Sequence, residues 1–331
     1  MVLSTTRFLL KLGHFPARPT RVRSGLCTAW IYGQPRSPRG TILSIHGANR
    51  FGPLDPRWVQ LSRGLAEAGF IVAAPHVPSI ASLAFCPDQI EQLVDIIEEL
   101  LEDPTLCPAG RAGLLSVSLS GGLTLQAAAQ PRLRDRISAI LTIGAYAETE
   151  RTADHMVRHP EADLYGALLL FANYYRHRDP TSRLPEAFTR LALDNFHRRP
   201  LNLARARAIL TEADGRLLEA MLSSPQVRGD VWDTLRAHIK GELRRLDTIP
   251  HLQGLRAPVT VIHGEGDDVI PPSEADALAE ALDATGRLAD KVITPLLSHG
   301  DTQRRWSTLL REAPPLIRAF GGWMRAITQP A

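Results

Sequence analysis

At 331 residues the chain has room for one large domain or two ordinary ones, and a hydrophobic share of 44% supports a core that needs no covalent staples. No run approaches the ~18 apolar residues of a membrane-spanning helix. Three scattered cysteines, Cys27, Cys86 and Cys107, exclude a disulfide framework and lack metal-ligand spacing, which fits a reducing, cytoplasmic setting.

The net charge of +3 is unevenly spread. Arg7, Lys11, Arg18, Arg21, Arg23, Arg36, Arg39 and Arg50 all precede the first acidic residue, Asp55. This basic end reads as a solvated, irregular leader. Its arginine-rich, acid-poor character is loosely that of a transit peptide, and its charge suits weak contact with a membrane surface. "FLLKL" is too short for a secretory signal. No stacking aromatics interleave the basic residues, so nucleic acid is not an expected partner. The sequence carries no signal of oligomeric state.

"TILSIHG" (Thr41–Gly47) reads as a buried strand ending at a glycine. In "DPRWVQLSRGLAEAG", Trp58, Leu61, Leu65 and Ala68 recur at helical spacing, with Gly69 closing the helix. "FIVAAP" (Phe70–Pro75) is the next strand. "DQIEQLVDIIEELL" places Ile90, Leu93, Val94, Ile97 and Leu101 on one helix face and opens with Asp88 and Glu91 at capping-box spacing. "AGLLSV" is a strand, "GGLTLQAAA" begins a helix, and "ISAILTIGA" (Ile137–Ala145) is a strand again. Near-continuous apolar strands alternating with helices predict an α/β fold with a mostly parallel, doubly wound sheet.

The alternation stops near Glu148. Up to about Pro250 the patterns are helical, with Leu184, Phe188, Leu191 and Phe196 on one side of one segment. Trp232, Leu235, Ile239 and Leu243 share a side of another. Tyr165, Phe171, Tyr174 and Tyr175 form an aromatic cluster that reads first as packing and second as a substrate wall. "APVTVIHG" (Ala257–Gly264) and "KVITP" (Lys291–Pro295) are strands around the helix "EADALAEALDA", and "PPLIRAFGGWMRAI" closes the chain as a helix. The expected organisation is a basic leader with edge elements at 1–39, a core at 40–149 and 251–331, and a helical insertion at 150–250.

"SVSLSGG" lies at the carboxyl end of a strand, where open α/β sheets carry their active residues. A sharp strand–turn–helix there holds a serine in a strained backbone and exposes its Oγ. Small residues are needed two positions before and after it. Ser118, flanked by Ser116 and Ser120, and Ser120, flanked by Ser118 and Gly122, both fit. The register at Ser118 is preferred, because it follows the apolar "GLLSV" directly and does not push two polar residues into the strand end. A serine-rich connection without chemistry is the bland alternative.

A serine hydroxyl needs a base and a carboxylate to orient that base. Asp267 lies in the loop after "VIHG", and His299 lies in the loop after the next strand-like run. Asp268 and Glu148 are the alternative acids. His46 and His263, each before a glycine at a strand end, read as structural. His76 receives no role.

These segments together resemble the α/β-hydrolase superfamily. "HGANRFG" is similar to its oxyanion loop and "SVSLSGG" to its nucleophile elbow, with serines in place of both expected glycines. "HGEGDDVIP" is similar to its G-x-x-D-x-x-V-P acid loop through Gly264, Asp267 and Pro271, and "SHGD" to its histidine loop. The resemblance covers about 40–150 and 255–325, and the helical block sits where the family inserts a cap. It implies a triad in the chain order Ser118, Asp267, His299. It also implies an oxyanion hole from the backbone N–H groups of Leu119 and Ala48, and neither cofactor nor metal. The implied reaction is hydrolysis of a carboxylic ester or related acyl bond of a small molecule. Acyl transfer and thioester cleavage use the same triad, and a non-catalytic binding member is the remaining alternative. A serine nucleophile points away from the aspartate-dependent epoxide hydrolases and dehalogenases and from the cysteine-dependent dienelactone branch.

Overall fold

The computed structural model describes residues 21–329 apart from 34, 160–161, 196–202, 299–300 and 303–305. Most of the basic leader and Phe196 therefore lie outside the described residues. The leader's end contributes two strands, β1 (Arg21–Ser24) and β2 (Thr28–Tyr32), paired antiparallel. The strands β3 (Thr41–Ile45), β4 (Ile71–Pro75), β5 (Ala112–Val117), β6 (Ile137–Ile143), β7 (Val259–Gly264) and β8 (Leu288–Thr294) follow. The sheet order is β1-β2-β4-β3-β5-β6-β7-β8, with β2 antiparallel to β4 and every pair from β4 to β8 parallel.

Successive side chains of a strand point to opposite faces, and the core divides accordingly. Ile42, Leu115 and Leu141 face one side, against Trp58, Leu61 and Leu65 of α1 (Pro56–Glu67). Phe320, Trp323 and Met324 pack on the same side. Leu43, Leu114 and Ile140 face the other. There they meet α3 (Asp88–Glu102), α4 (Leu119–Ala128) and α11 (Ser273–Ala284), while α2 (Pro78–Ala81) is a single turn between β4 and α3. Small loss of apolar area here is expensive, since each buried aliphatic side chain is worth roughly 1.5–3 kcal/mol.

Two local expectations are corrected. The capping box at Asp88 and Glu91 does not form, because Pro87 precedes the helix and Asp88 is already its first residue. Gln89 takes over the reach-back, its Oε1 accepting from the Cys86 N–H at 3.0 Å. The closing helix, α12 (Trp306–Thr328), starts before the prolines and carries Pro314 and Pro315 inside it. A proline pair is more at home in a first turn, where no N–H is needed.

Between β6 and β7 come α5 (Thr149–Arg158), α6 (Leu164–Tyr174), α7 (Leu184–Asn195), α8 (Leu203–Arg207), α9 (Glu212–Ser223) and α10 (Pro225–Leu246). No strand occurs among the described residues of this block. Leu184, Phe188, Leu191, Trp232, Leu235, Ile239 and Leu243 are all buried, in the same core cluster as Leu114 and Ile140. The insertion thus shares its core with one face of the sheet. Inside it, Arg228 is 5% exposed and meets helix ends rather than a carboxylate. Its Nε donates to the Val157 carbonyl at 3.0 Å and its Nη1 to the Met221 carbonyl at 2.9 Å. These carbonyls close α5 and α9, whose C-terminal dipoles favour a cation.

The chain leaves the sheet and returns through adjacent points. Thr248 N–H donates to the Ala147 carbonyl at 2.9 Å, and Asp247 accepts from Thr149 N–H at 2.7 Å. Glu274 of α11, fully buried, accepts from the N–H groups of Ala147 at 2.8 Å and Glu148 at 2.9 Å and pairs with Arg151. Replacing it by alanine strands two backbone donors and one guanidinium. Glu274→Ala is therefore expected to lose on the order of 3 kcal/mol in urea unfolding, and Glu274→Gln clearly less, since it keeps an acceptor oxygen. Equal losses would mean that the contact is only a matter of shape.

Candidate active site

The turn from β5 into α4 carries the chemistry-bearing geometry. Ser118 has φ 57° and ψ −135°, and Leu83 is the only other described non-glycine residue with positive φ. Such a backbone costs about 1–3 kcal/mol and persists only where its surroundings force it. Here Ser118 N–H donates to the Ile143 carbonyl at 2.8 Å, and the Ser118 carbonyl accepts from Gly121 N–H at 2.8 Å. The Ser118 hydroxyl is not used to cap the helix it precedes.

Ser120 behaves differently. It is fully buried, and its hydroxyl meets the carbonyls of Val117 at 2.8 Å and Ile45 at 3.3 Å. It braces the turn between two strands and is not among the residues that line the cavity with Ser118. The two glycines that follow permit close packing. A Cβ on Gly121 would lie 2.5 Å from Ala145 Cβ, and one on Gly122 would lie 2.5 Å from the Tyr146 ring.

The loop after β3 abuts this turn: a Cβ on Gly47 would sit 3.5 Å from Ser118 Cβ. His46 is fully buried and organises that loop. Its Nε2 accepts from Val77 N–H at 3.1 Å, which places the proton on Nδ1, and Nδ1 donates to the Gly47 carbonyl at 2.8 Å. Asn49 Nδ2 donates to the same carbonyl at 3.1 Å, while its Oδ1 accepts from Phe51 N–H at 2.9 Å. Asn49 is thus spent on the turn. In a trans peptide the Ala48 N–H points opposite the Gly47 carbonyl, so these two donors fix its direction. Tyr165 of α6 then pins the next peptide, its hydroxyl donating to the Ala48 carbonyl at 2.7 Å. Leu119, first residue of α4, has one of the helix N–H groups that lack an intrahelical acceptor.

Asp267 follows β7 and is 8% exposed. Its Oδ1 accepts from the N–H groups of Val269 at 3.0 Å and Ile270 at 2.9 Å. A Cβ on Gly144, just beyond β6, would lie 3.3 Å from Asp267 Oδ2, which sets the carboxylate beside the strand next to β5. Of the alternative acids, Glu148 pairs with Arg151 at 3.1 Å, and the backbone carbonyl of Asp268 accepts from Asp163 N–H at 2.9 Å. His299 lies outside the described residues. The segments flanking it, Leu297–Ser298 and Asp301–Thr302, pair antiparallel.

Ser118, Ala48 and Leu119 line one cavity. Met156 and Leu169 of the insertion, Leu83 and Phe85 after α2, and Ile270 are among its other walls, with Thr149 and Thr152 adding hydroxyl-bearing side chains. Among the described residues, none that lines it is charged. Of the aromatic cluster, Tyr165 reaches this cavity, whereas Phe171 packs on Phe188 with ring centroids 5.5 Å apart.

No protein-family model and no curated protein matches the chain. Solved structures do. Esterase B from Lactobacillus rhamnosis, in a structure with a tributyrin phosphonate inhibitor, is similar over 98% of this chain and 92% of its own, with a TM-score of 0.53 and 13% identity. The chain has the α/β-hydrolase fold. A puromycin-hydrolysing peptidase of Mycobacterium tuberculosis shares this α/β-hydrolase core over 96% of this chain and 40% of its own, at TM-score 0.53 and 13% identity. A monoacylglycerol lipase of Paleococcus ferrophilus is similar over 91% of this chain and all of its own, with TM-score 0.45 and 17% identity.

Burial holds the His46 imidazole at a pKa of about 4, outweighing the Gly47 hydrogen bond that opposes it. A protonated Nε2 would also confront the Val77 N–H. Between pH 6.5 and about 4 the unfolded chain takes up a proton that the folded chain refuses, so stability falls with falling pH across that window. The expected loss is on the order of 3 kcal/mol, read as the pH slope of the urea-unfolding free energy. His46→Gln is expected to lack that part of the slope. An imidazole titrating near 6.5 by NMR would contradict the assignment.

Proposed function

We propose that the protein is a serine esterase that hydrolyses a carboxylic ester of an uncharged, largely apolar small molecule. The observation that carries the reading is the left-handed backbone of Ser118 at the mouth of a strand, beside a cavity whose described lining carries no charged residue. In this reading Ser118 Oγ attacks the acyl carbon and His299 takes its proton. Asp267, its other oxygen occupied by two backbone donors, orients the imidazole. The N–H groups of Ala48 and Leu119 receive the oxyanion, each worth about 2.7–4 kcal/mol in the transition state. His299 then returns its proton to the leaving alcohol, and water releases the acid from the acyl-enzyme. A charged substrate would lose hydration in this cavity without gaining a charged partner among the described lining residues.

The helical insertion acts as a cap that closes the cavity, and the hydrolytic core is formed by the segments on either side of it. The basic leader offers a weak attachment to an anionic membrane surface.

The test is covalent. A fluorophosphonate is expected to label Ser118, identified by mass spectrometry, and His299→Ala is expected to label far more slowly. Ser118→Ala should lower ester hydrolysis by about a thousandfold or more. Apolar acyl esters should exceed hemisuccinate esters of the same alcohol by about a hundredfold in kcat/KM. An adduct on Ser120 would move the nucleophile, and absence of any adduct together with unchanged Ser118→Ala activity would remove the esterase.

A further inference from the structure

The second strained residue lines the same cavity. Leu83 has φ 65° and is 3% exposed. It follows α2 at the position where a helix commonly ends in the left-handed conformation, with Leu83 N–H donating to the Ile80 carbonyl at 3.1 Å and Ala84 N–H to the Ser79 carbonyl at 2.9 Å. Glycine is the ordinary occupant of such a position because a Cβ is crowded there. A leucine in its place needs an external restraint.

That restraint comes from α6. Asn173 Nδ2 donates to the Leu83 carbonyl at 2.9 Å, and Asn173 Oδ1 accepts from Phe85 N–H at 2.9 Å. One side-chain amide thus pairs with the backbone on both sides of Ala84, as a neighbouring strand would. The same Nδ2 also donates to the Leu169 carbonyl at 2.8 Å, which fixes the amide to its own helix. Tyr174 adds a third tie, its hydroxyl donating to the Phe85 carbonyl at 2.7 Å. The helix that supplies these bonds also supplies Tyr165 and Leu169 to the cavity wall. Leu83 is therefore held in an unfavourable backbone with its side chain buried at the cavity that Ser118 lines.

We infer that Leu83 is the specificity-determining residue that sets the size of apolar group accepted beside Ser118, and that Asn173 is its positioning residue. The inference rests on the esterase reading for its kinetic readout, but the cavity wall itself does not depend on catalysis. Strain of this kind is retained where the surrounding structure over-determines it, and a single methylene in an apolar pocket is worth about 10–200-fold in discrimination.

The experiment compares wild type, Leu83→Gly, Leu83→Phe and Asn173→Leu on p-nitrophenyl esters from acetate to dodecanoate and on butyrate esters of n-alkanols of rising length. Leu83→Gly suits the left-handed backbone and removes the side chain, so kcat/KM for chains beyond the wild-type optimum should rise at least about tenfold relative to that optimum. Leu83→Phe should shift the optimum to shorter chains. Asn173→Leu alters no atom of Leu83, yet should flatten the length profile in KM more than in kcat. Because the two Leu83 variants act in opposite directions, either one that folds decides the matter. Binding of free n-alkanols, followed by ligand-detected NMR, gives a readout without turnover. If wild type has no esterase activity but the alkanol length limit moves with Leu83→Gly, the esterase reading fails and the wall assignment stands. If wild type is active and the length profile of a folded Leu83 variant superimposes on its own, the wall assignment fails and the esterase reading stands.

Discussion

The constraint on which the rest of this molecule depends is one backbone conformation, that of Ser118. An L-residue at φ 57° is unfavourable by itself, so everything around it must make the alternative worse. The Ile143 carbonyl on the neighbouring strand takes its N–H. Ser120, two residues on, binds the ends of β3 and β5 together from inside. Gly121 and Gly122 let the following helix press against Ala145 and Tyr146 at distances that no side chain would allow. The parallel sheet is thus more than a scaffold. The adjacency of β3, β5 and β6 is what supplies the three anchors of the turn.

A second layer of order surrounds that turn, and it is built from buried and half-buried polar side chains that serve the backbone. His46 and Asn49 converge on the Gly47 carbonyl, Tyr165 on the Ala48 carbonyl, and Asn173 on both sides of Ala84. None of these groups needs to touch a reacting atom to matter. Each removes a degree of freedom from a peptide that borders the cavity, and a buried peptide that lost its partner would be costly. Two of the four come from α6, so the inserted helices are part of the cavity's frame.

Much of this was legible in the sequence because it is periodic. Residues such as Leu114 and Leu115 announce a strand buried on both faces, and Trp232, Leu235, Ile239 and Leu243 announce a helix buried on one. The turn at Ser118 was legible for a steric reason, since only a run of small residues passes through it. What escaped was aperiodic or distant. Nothing local signals that Tyr165 meets Ala48, 117 residues earlier. A leucine at 83 gives no hint of a left-handed backbone, because the usual glycine is replaced and the compensation sits at Asn173. The helix through Pro314 and Pro315 escaped because packing of Phe320, Trp323 and Met324 on the sheet overrides a local preference. The acidic start of α3 matched a capping pattern whose geometry Pro87 forecloses.

The adjacency of the two crossings between sheet and insertion has a consequence for how such a chain changes over generations. Ala147 and Thr248 are hydrogen-bonded neighbours, so about a hundred residues begin and end at a single doorway. The closure entropy of a segment whose ends already meet grows only slowly with its length. Length can therefore change between the helices of the insertion at little entropic cost to that junction, whereas the helix that carries Tyr165 and Asn173 cannot be traded without loosening the cavity's frame. The doorway tolerates changes of length, and the shared core limits changes of content.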